Sequence, residues 1–250
     1  RAVYQGPLES WAHHFDKPRW GEKTPGNLFY VDTLRTMFPD AQFLHLVRDP
    51  RAGVQSMQKT SFFGDDVAIN ALNRRKYLRE GLYRDATMPS DQWMRVRYED
   101  LLRTPQKTVR DLCDFLGEPF TPSMLSYYER AEQYMHSAAA NGHNQAARRP
   151  IDASKAEAWR DRLPPMDAAR IESICRHEMN ALGYTPDGPS LSVAARLLLL
   201  LKALYWRLLQ FRKDAPDAFV LDSPSAVRRR LRSLWWSDPA PVPSDQASAD

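Results

Sequence analysis

The stretch that decides the fold is Phe43-Leu44-His45-Leu46-Val47-Arg48-Asp49-Pro50-Arg51-Ala52-Gly53-Val54-Gln55-Ser56. Its first five residues are largely apolar and predict a buried β-strand. The following Arg-Asp-Pro ends that strand and predicts a helix with proline in its first turn. The polar residues therefore fall at the carboxyl end of a strand. In open α/β sheets ligands bind there, and helix N-terminal N–H groups favour anions.

Two side chains of this stretch are candidates for holding a phosphate group. Arg48 carries a planar, permanently charged guanidinium at the sheet edge, and Ser56 offers a hydroxyl further along the helix. The alternative is that Arg48 only joins the strand to the helix through a salt bridge to Asp49. Both interpretations stay open on the residues alone.

The residues that follow predict a second strand beside the first. The segment 65–85 has the apolar repeat of a long amphipathic helix, and we expect its charges on a solvated face. Residues 92–97 then form a short strand, which should run parallel to the first because a helix crosses between them. Another helix is predicted to end at Leu116 before Gly117, and a later one to run from Met166 to Leu182.

Capping residues predict two further helices. Asn27 should cap a helix that continues through Met37. Ser154 with Glu157 forms a capping-box pattern for a helix through Trp159. Between these regions, residues 127–152 show almost no apolar periodicity, and a loop of that length usually binds a ligand or lacks order.

Composition predicts one sizeable globular domain with an appended piece. The chain has 250 residues, of which 43% are hydrophobic and 26% charged, and a net charge of +4. This mild positive charge fits an anionic cofactor or a basic tail. No zinc-finger, RNP or helix-turn-helix signature accompanies it, so nucleic acid is not expected as a partner. Cys113 and Cys175 lie in helical patterns, and neither a disulfide framework nor a metal site is expected.

The composition changes after residue 186. We predict a basic amphipathic helical extension over residues 187–236 and a disordered tail over 237–250. Between Leu191 and Trp235 there are nine Lys or Arg residues against three Asp. An apolar face beside a basic one suits a helix that docks on the domain, or one that makes peripheral membrane contact through residues 191–236. No signal sequence or membrane-spanning run is apparent, so a cytoplasmic location is expected, with peripheral membrane contact as a second possibility.

The order and spacing of several motifs resemble a known enzyme family. These motifs are Lys23-Thr24-Pro25, the run from Phe38 to Arg51, Ser56, and Arg97-Tyr98-Glu99-Asp100-Leu101-Leu102. They are similar to those of the sulfotransferases that use 3'-phosphoadenosine 5'-phosphosulfate (PAPS), in the branch with tyrosylprotein sulfotransferases and many bacterial relatives. The resemblance implies an α/β fold, a P-loop-NTPase-like parallel sheet flanked by helices, with residues 1–186 as the C-terminal part of the sulfotransferase domain.

The resemblance also implies roles for individual residues. Lys23 matches the family's transition-state lysine, and Arg48 with Ser56 matches the pair that grips the 3'-phosphate of PAPS. Tyr98 matches a tyrosine that contacts this co-substrate, and Arg149 a basic residue that reaches it. No metal is required, since lysine and arginine can neutralise the donor.

The sequence departs from the family in two respects. The glycine- and hydroxyl-rich loop that wraps the 5'-phosphosulfate would lie before Arg1, and the general base is unassigned. We therefore expect little or no transferase activity from this chain alone. The acceptor stays open between a small molecule, carbohydrate, lipid or peptide, with a hydroxyl or amine as the reacting group. The alternatives are a kinase-like P-loop transferase and a catalytically incomplete module that binds a membrane or a partner.

Overall fold

The computed structural model describes residues 2–58, 64–130 and 148–214. The predicted disordered tail 237–250, the part of the basic extension after residue 214 and most of the predicted loop 127–152 lie outside the described residues.

Helices and two short strands make up the described residues. In chain order they are α1 (Ala2–His14), α2 (Val31–Met37), β1 (Phe43–Val47), α3 (Pro50–Met57), α4 (Val67–Thr87), β2 (Trp93–Arg97), α5 (Tyr98–Arg103), α6 (Pro105–Leu116), α7 (Pro165–Ala181) and α8 (Val193–Asp214). Three 3-10 segments add to them, at Pro25–Tyr30, Pro122–Arg130 and Ala153–Ala156. None of the described helices is long and apolar enough to cross a bilayer.

The sheet consists of β1 and β2 in parallel register. Phe43 pairs with Trp93 and Val47 with Arg97, while α4 makes the crossover between the strands. This confirms the predicted second strand and its direction. Because both strands end at the same edge, the residues after them, Arg48 and Tyr98, are neighbours.

The prediction of a buried first strand is wrong for one of its faces. Leu44 and Leu46 are 46% and 54% exposed, whereas Val47 is buried. His45 turns to the other side and contacts Gly81 of α4. Successive side chains of a strand point to opposite faces, and the described helices cover one face of β1 only. Among the described residues, β1 is paired along one edge, by β2.

The hydrophobic core lies between α3, α4 and α7. It buries a continuous set of apolar side chains from these helices, including Val54, Ala71, Leu78, Ile171, Cys175 and Met179. The Cys175 thiol lies 3.6 Å from the carbonyl oxygen of Ala71, which fixes how closely α4 and α7 approach. The predicted helix from Met166 to Leu182 and its buried face are thereby confirmed, with the end at Ala181.

The expectation that the charges of α4 are solvated is wrong. Arg84 is 2% exposed, and its guanidinium donates to Asp32 of α2 at 2.6 Å and to Glu80. Arg75 donates to the buried Glu178 of α7 at 2.9 Å. Each of these charges has an opposite partner on the helix packed against it, so the polar face of α4 is also an interhelical contact.

The predicted helix ends are partly confirmed. Gly117 follows α6 with a φ of 69°, which a residue without a side chain adopts at little cost. The predicted cap at Asn27 is wrong, because Asn27 lies inside the 3-10 turn Pro25–Tyr30 and its amide donates to Glu22. Helix α2 starts at Val31 and, as predicted, ends at Met37. The predicted capping box at Ser154 is wrong. Asp152 accepts from the Ser154 N–H at 3.0 Å instead and begins only the short 3-10 turn Ala153–Ala156.

Candidate anion-binding site

Arg51 is the arginine that fixes the strand-to-helix junction. It is 3% exposed, and its guanidinium lies 2.8 Å from the Asp49 carboxylate and 2.7 Å from that of Glu172. The same guanidinium stacks on the Trp159 ring at 4.0 Å. Asp49 is thus paired with Arg51, and in the described part of the chain no salt bridge joins it to Arg48. The interpretation of Arg48 as a structural link to Asp49 is therefore wrong.

Asp49 also occupies the N-terminus of α3. Its carboxylate accepts from the Arg51 N–H at 2.8 Å, and its backbone carbonyl accepts from Gly53 N–H at 2.8 Å. A capping carboxylate takes the place that an anion would take at a helix N-terminus. Asp49 already supplies a negative charge at this helix N-terminus, and the expectation that its N–H groups favour a bound anion stays a prediction.

Arg48 lies at the carboxyl end of β1 with its charge uncompensated by a carboxylate in the described residues. Its guanidinium carbon is 4.5 Å from the centre of the Tyr98 ring, as the parallel register requires. Its Nε is buried and has no hydrogen-bond partner among the described residues. A buried donor without a partner costs on the order of 1–3 kcal/mol, so an acceptor at this position would be favourable.

A second guanidinium, that of Arg74 in α4, lies against Arg48. Arg74 donates to the backbone carbonyl of Arg48 at 3.3 Å, and its Nε is likewise buried without a partner in the described part. Burial lowers the pKa of Arg74, and the positive charge of Arg48 lowers it further. A Cβ on Gly53 would stand 2.9 Å from this Nε, so the glycine makes room for the second charge.

Arg97, the last residue of β2, adds a third guanidinium at the same sheet edge. It stacks on the Tyr184 ring at 4.5 Å, and its Nε also lacks a partner among the described residues. The nearby Glu99 carboxylate is already engaged. It accepts from the Tyr184 hydroxyl at 2.8 Å and from the Asp49 N–H at 2.9 Å. We call Arg48 and Arg74, which contact each other, together with Arg97 at the end of the neighbouring strand, the arginine cluster. The Nε of each lacks a partner among the described residues, and a guanidinium suits a phosphate or sulfate oxyanion.

The loop that carries Lys23 is held in place by its neighbours. Glu22 accepts hydrogen bonds from the Thr24 hydroxyl and the Asn27 amide, while Lys23 itself is exposed. The 3-10 turn after it packs on α4 through Phe29 and Tyr77, whose rings are 4.8 Å apart. Arg74 precedes Tyr77 by about one helical turn. The turn that follows Lys23 thus packs on the helix that carries Arg74, and no described contact joins Lys23 itself to the arginine cluster.

The other two predicted site residues lie at the surface. Ser56 is exposed in the last turn of α3, and the described residues show no contact between it and Arg48. Arg149 is exposed, and its backbone carbonyl accepts from the Tyr127 hydroxyl at 3.0 Å. Burial raises the pKa of Tyr127, and the neighbouring Tyr98 contributes to this shift. Arg149 is thus joined to Tyr127 through its backbone, and the described residues show no contact between its side chain and Arg48 or Tyr98.

Sequence reasoning missed two members of the arginine cluster and the glycine beside it. The sequence predicts a solvated face for the charges of the helix that carries Arg74, and it gives Arg97 no role beyond its place in a motif. A signal for Arg74 was present in Gly53, a glycine inside a predicted helix, which often marks a close approach of another group. Arg97 carries no comparable signal.

A cavity of about 210 Å³ lies next to the cluster. Its lining includes Arg97, Glu99 and Tyr184 together with Arg51, Arg160 and Asp187. Asp187 pairs with both Arg51 and Arg160, at 2.8 and 2.6 Å. Because its carboxylates compensate its guanidinium groups, this cavity is less suited to an anion than the side of the cluster that carries Arg48 and Arg74.

Comparison of the sequence with known proteins finds one family and several relatives. The model of the sulfotransferase family matches residues 2–122. Protein-tyrosine sulfotransferase 1 of Danio rerio is 28% identical over 171 residues, which cover 66% of this chain and 48% of that protein. Carbohydrate sulfotransferase 5 of Mus musculus is 27% identical over 166 residues, covering 57% and 41%. The chain spans about half the length, or less, of the curated relatives it matches.

Solved structures with a similar fold are also sulfotransferase domains. The sulfotransferase domain from the curacin biosynthetic pathway has a TM-score of 0.59 and 23% identity, covering 74% of this chain and 68% of that one. The sulfotransferase domain from the Synechococcus PCC 7002 olefin synthase has a TM-score of 0.53 and 26% identity, covering 66% and 56%. The predicted fold class is confirmed.

Proposed function

We propose that this chain, which is similar to sulfotransferases in sequence and in fold, transfers a sulfuryl group from PAPS to an acceptor. The observation that carries the proposal is the unpaired guanidinium of Arg48, stacked on Tyr98 at the carboxyl end of β1. A cation at this edge, free of any carboxylate in the described residues, suits the 3'-phosphate by which PAPS differs from ATP.

The proposed roles follow the chemistry of the transfer. The acceptor oxygen attacks sulfur, the bond from sulfur to the bridging oxygen breaks, and adenosine 3',5'-bisphosphate leaves while the acceptor proton passes to a base or to water. Charge builds on the bridging oxygen, so a positioned cation there lowers the barrier. We assign this role to Lys23, whose loop is braced by Glu22. Arg48, Ser56, Tyr98 and Arg149 then hold the donor.

The acceptor is proposed from the relatives. Those named above are protein-tyrosine and carbohydrate sulfotransferases. We therefore propose a phenolic or sugar hydroxyl as the acceptor, carried by a peptide or a carbohydrate, with PAPS as co-substrate and without a metal. Location in the cytoplasm, with peripheral membrane contact as the second possibility, stays a proposal from the sequence.

The test is binding of adenosine 3',5'-bisphosphate, measured by calorimetry. Arg48→Ala should weaken binding about 100-fold, because it removes about two charge-assisted hydrogen bonds worth roughly 1.5 kcal/mol each. Arg110→Ala is the matched control, since Arg110 also stacks on a ring, that of Phe120 at 4.1 Å. Equal competition by ATP would favour the kinase-like alternative, and undiminished binding by Arg48→Ala would refute the assignment.

The alternative function is that of a catalytically incomplete module, which binds the nucleotide or a partner without turnover. Transfer of labelled sulfate from PAPS to a tyrosine peptide or a carbohydrate separates the two functions, since the module binds and does not transfer.

A further inference from the structure

Helix α8 packs on the domain through one narrow face. Leu199 is buried, and Ala195, Ala203 and Trp206 pack against the core that α4 and α7 form. Lys202, beside this face, is paired with Asp66 at the start of α4. The position of the helix is therefore fixed, and its opposite face is turned away from the domain.

That outer face is apolar from Val193 to Leu208. Leu197, Leu201, Leu204 and Leu208 follow one another at helical spacing and are 56% to 58% exposed. Val193, Leu198, Leu200 and Tyr205 flank them and are also more than half exposed. Scattered exposed leucines need no explanation, but a continuous apolar patch of this extent marks an interaction surface.

The charges along the helix identify what covers this face. Arg196 and Arg207 are exposed and, on a regular helix, lie where the outer face meets the docked face. Helix α8 carries five Lys or Arg residues against one acidic residue, Asp214 at its last position. A second copy packed through the same face would bring two strongly basic helices together, each with a single carboxylate. An anionic lipid headgroup supplies the missing negative charge.

We propose that the outer face of α8 binds the surface of an anionic lipid bilayer. The leucines enter the boundary between headgroups and acyl chains, while the arginines at the border extend to lipid phosphates. The helix then lies in the plane of the membrane and presents the domain to its surface. This proposal depends on α8 alone and stands independently of the transfer chemistry.

The test measures co-sedimentation of the full 250-residue chain with vesicles. One set of vesicles contains phosphatidylcholine and phosphatidylserine in equal parts, the other phosphatidylcholine alone. We expect binding to the anionic set only, and about tenfold or more weaker binding by the variant Leu197→Ser/Leu201→Ser/Leu204→Ser. Met166→Ser is the control, because Met166 is an apolar side chain 45% exposed on α7. Circular dichroism verifies that each variant is folded.

Three results would overturn the proposal. The first is that the triple variant binds as well as the original chain, which would assign binding to residues outside this face. The second is that the chain binds both kinds of vesicle equally, which would remove the role of the arginines. The third is that the chain binds no vesicles, and light scattering would then show either a dimer that the triple variant dissociates or a monomer whose own chain covers the face.

Discussion

Replacing Arg51 with methionine should destabilise the protein far more than an arginine substitution normally does. The guanidinium is 3% exposed and lies between the carboxylates of Asp49 and Glu172, whose side chains are 6% and 3% exposed. Removing one partner of a buried ion pair costs about 3–5 kcal/mol, because the remaining charge stays buried. The third partner, Asp187, is 43% exposed and adds little.

We therefore expect Arg51→Met to lower the free energy of unfolding by about 4 kcal/mol. For a chain of this size, that corresponds to a fall in melting temperature of about 8–16 °C. Urea denaturation followed by circular dichroism gives the free energy, and a thermal scan gives the temperature. Arg103→Met is the matched control, because Arg103 pairs with Glu157 at the surface and its loss should cost about 1 kcal/mol or less. If Arg51→Met lowers the free energy of unfolding as little as the control does, the reasoning is refuted.

Two further predictions concern the contact between β1 and α4. Burial lowers the pKa of His45 from 6.5 to about 4, so the unfolded chain binds the proton more readily and stability should fall by about 3 kcal/mol as the pH drops from 6.5 to 4. Urea denaturation at several pH values in this range should show a smaller fall in the free energy of unfolding for His45→Gln than for the exposed-residue control His177→Gln. Equal falls for the two variants would contradict the prediction. Gly81→Ala should cost about 3 kcal/mol, because its Cβ would lie 2.0 Å from the His45 ring. The same substitution at Gly6, a helical glycine with open space around it, should be neutral or slightly stabilising, and similar values for both would show that the helix simply moves aside.

Local signals in the sequence predicted the frame of the sheet. Two short strands with a helix between them imply parallel pairing, and the observed register, with Val47 opposite Arg97, then brings Arg48 to Tyr98 without further information. The left-handed backbone conformation of Gly117 was also predictable from local sequence, because it requires only a glycine directly after the apolar repeat of a helix.

The rest of the site depends on pairings between distant parts of the chain. Arg48 and Arg51 look equivalent in the sequence, and only the packing of α7 shows that Glu172, 121 residues away, takes Arg51. In the sequence Gly53 marks the close approach of another group, but only the structure shows that this group is Arg74 of α4. That Ser56 reaches the same 3'-phosphate as Arg48, with Lys23 beside the transferred sulfuryl group, stays a prediction.

The open side of β1 affects how the protein behaves at high concentration. Leu44 and Leu46 are half exposed on a strand that, among the described residues, has a neighbour along one edge. Free N–H and C=O groups beside exposed leucines form a template on which a strand of another molecule can align, and this is how edge-to-edge aggregation begins. Within the described residues, the strand that presents Arg48 at its end is therefore also the segment most open to a strand of another molecule.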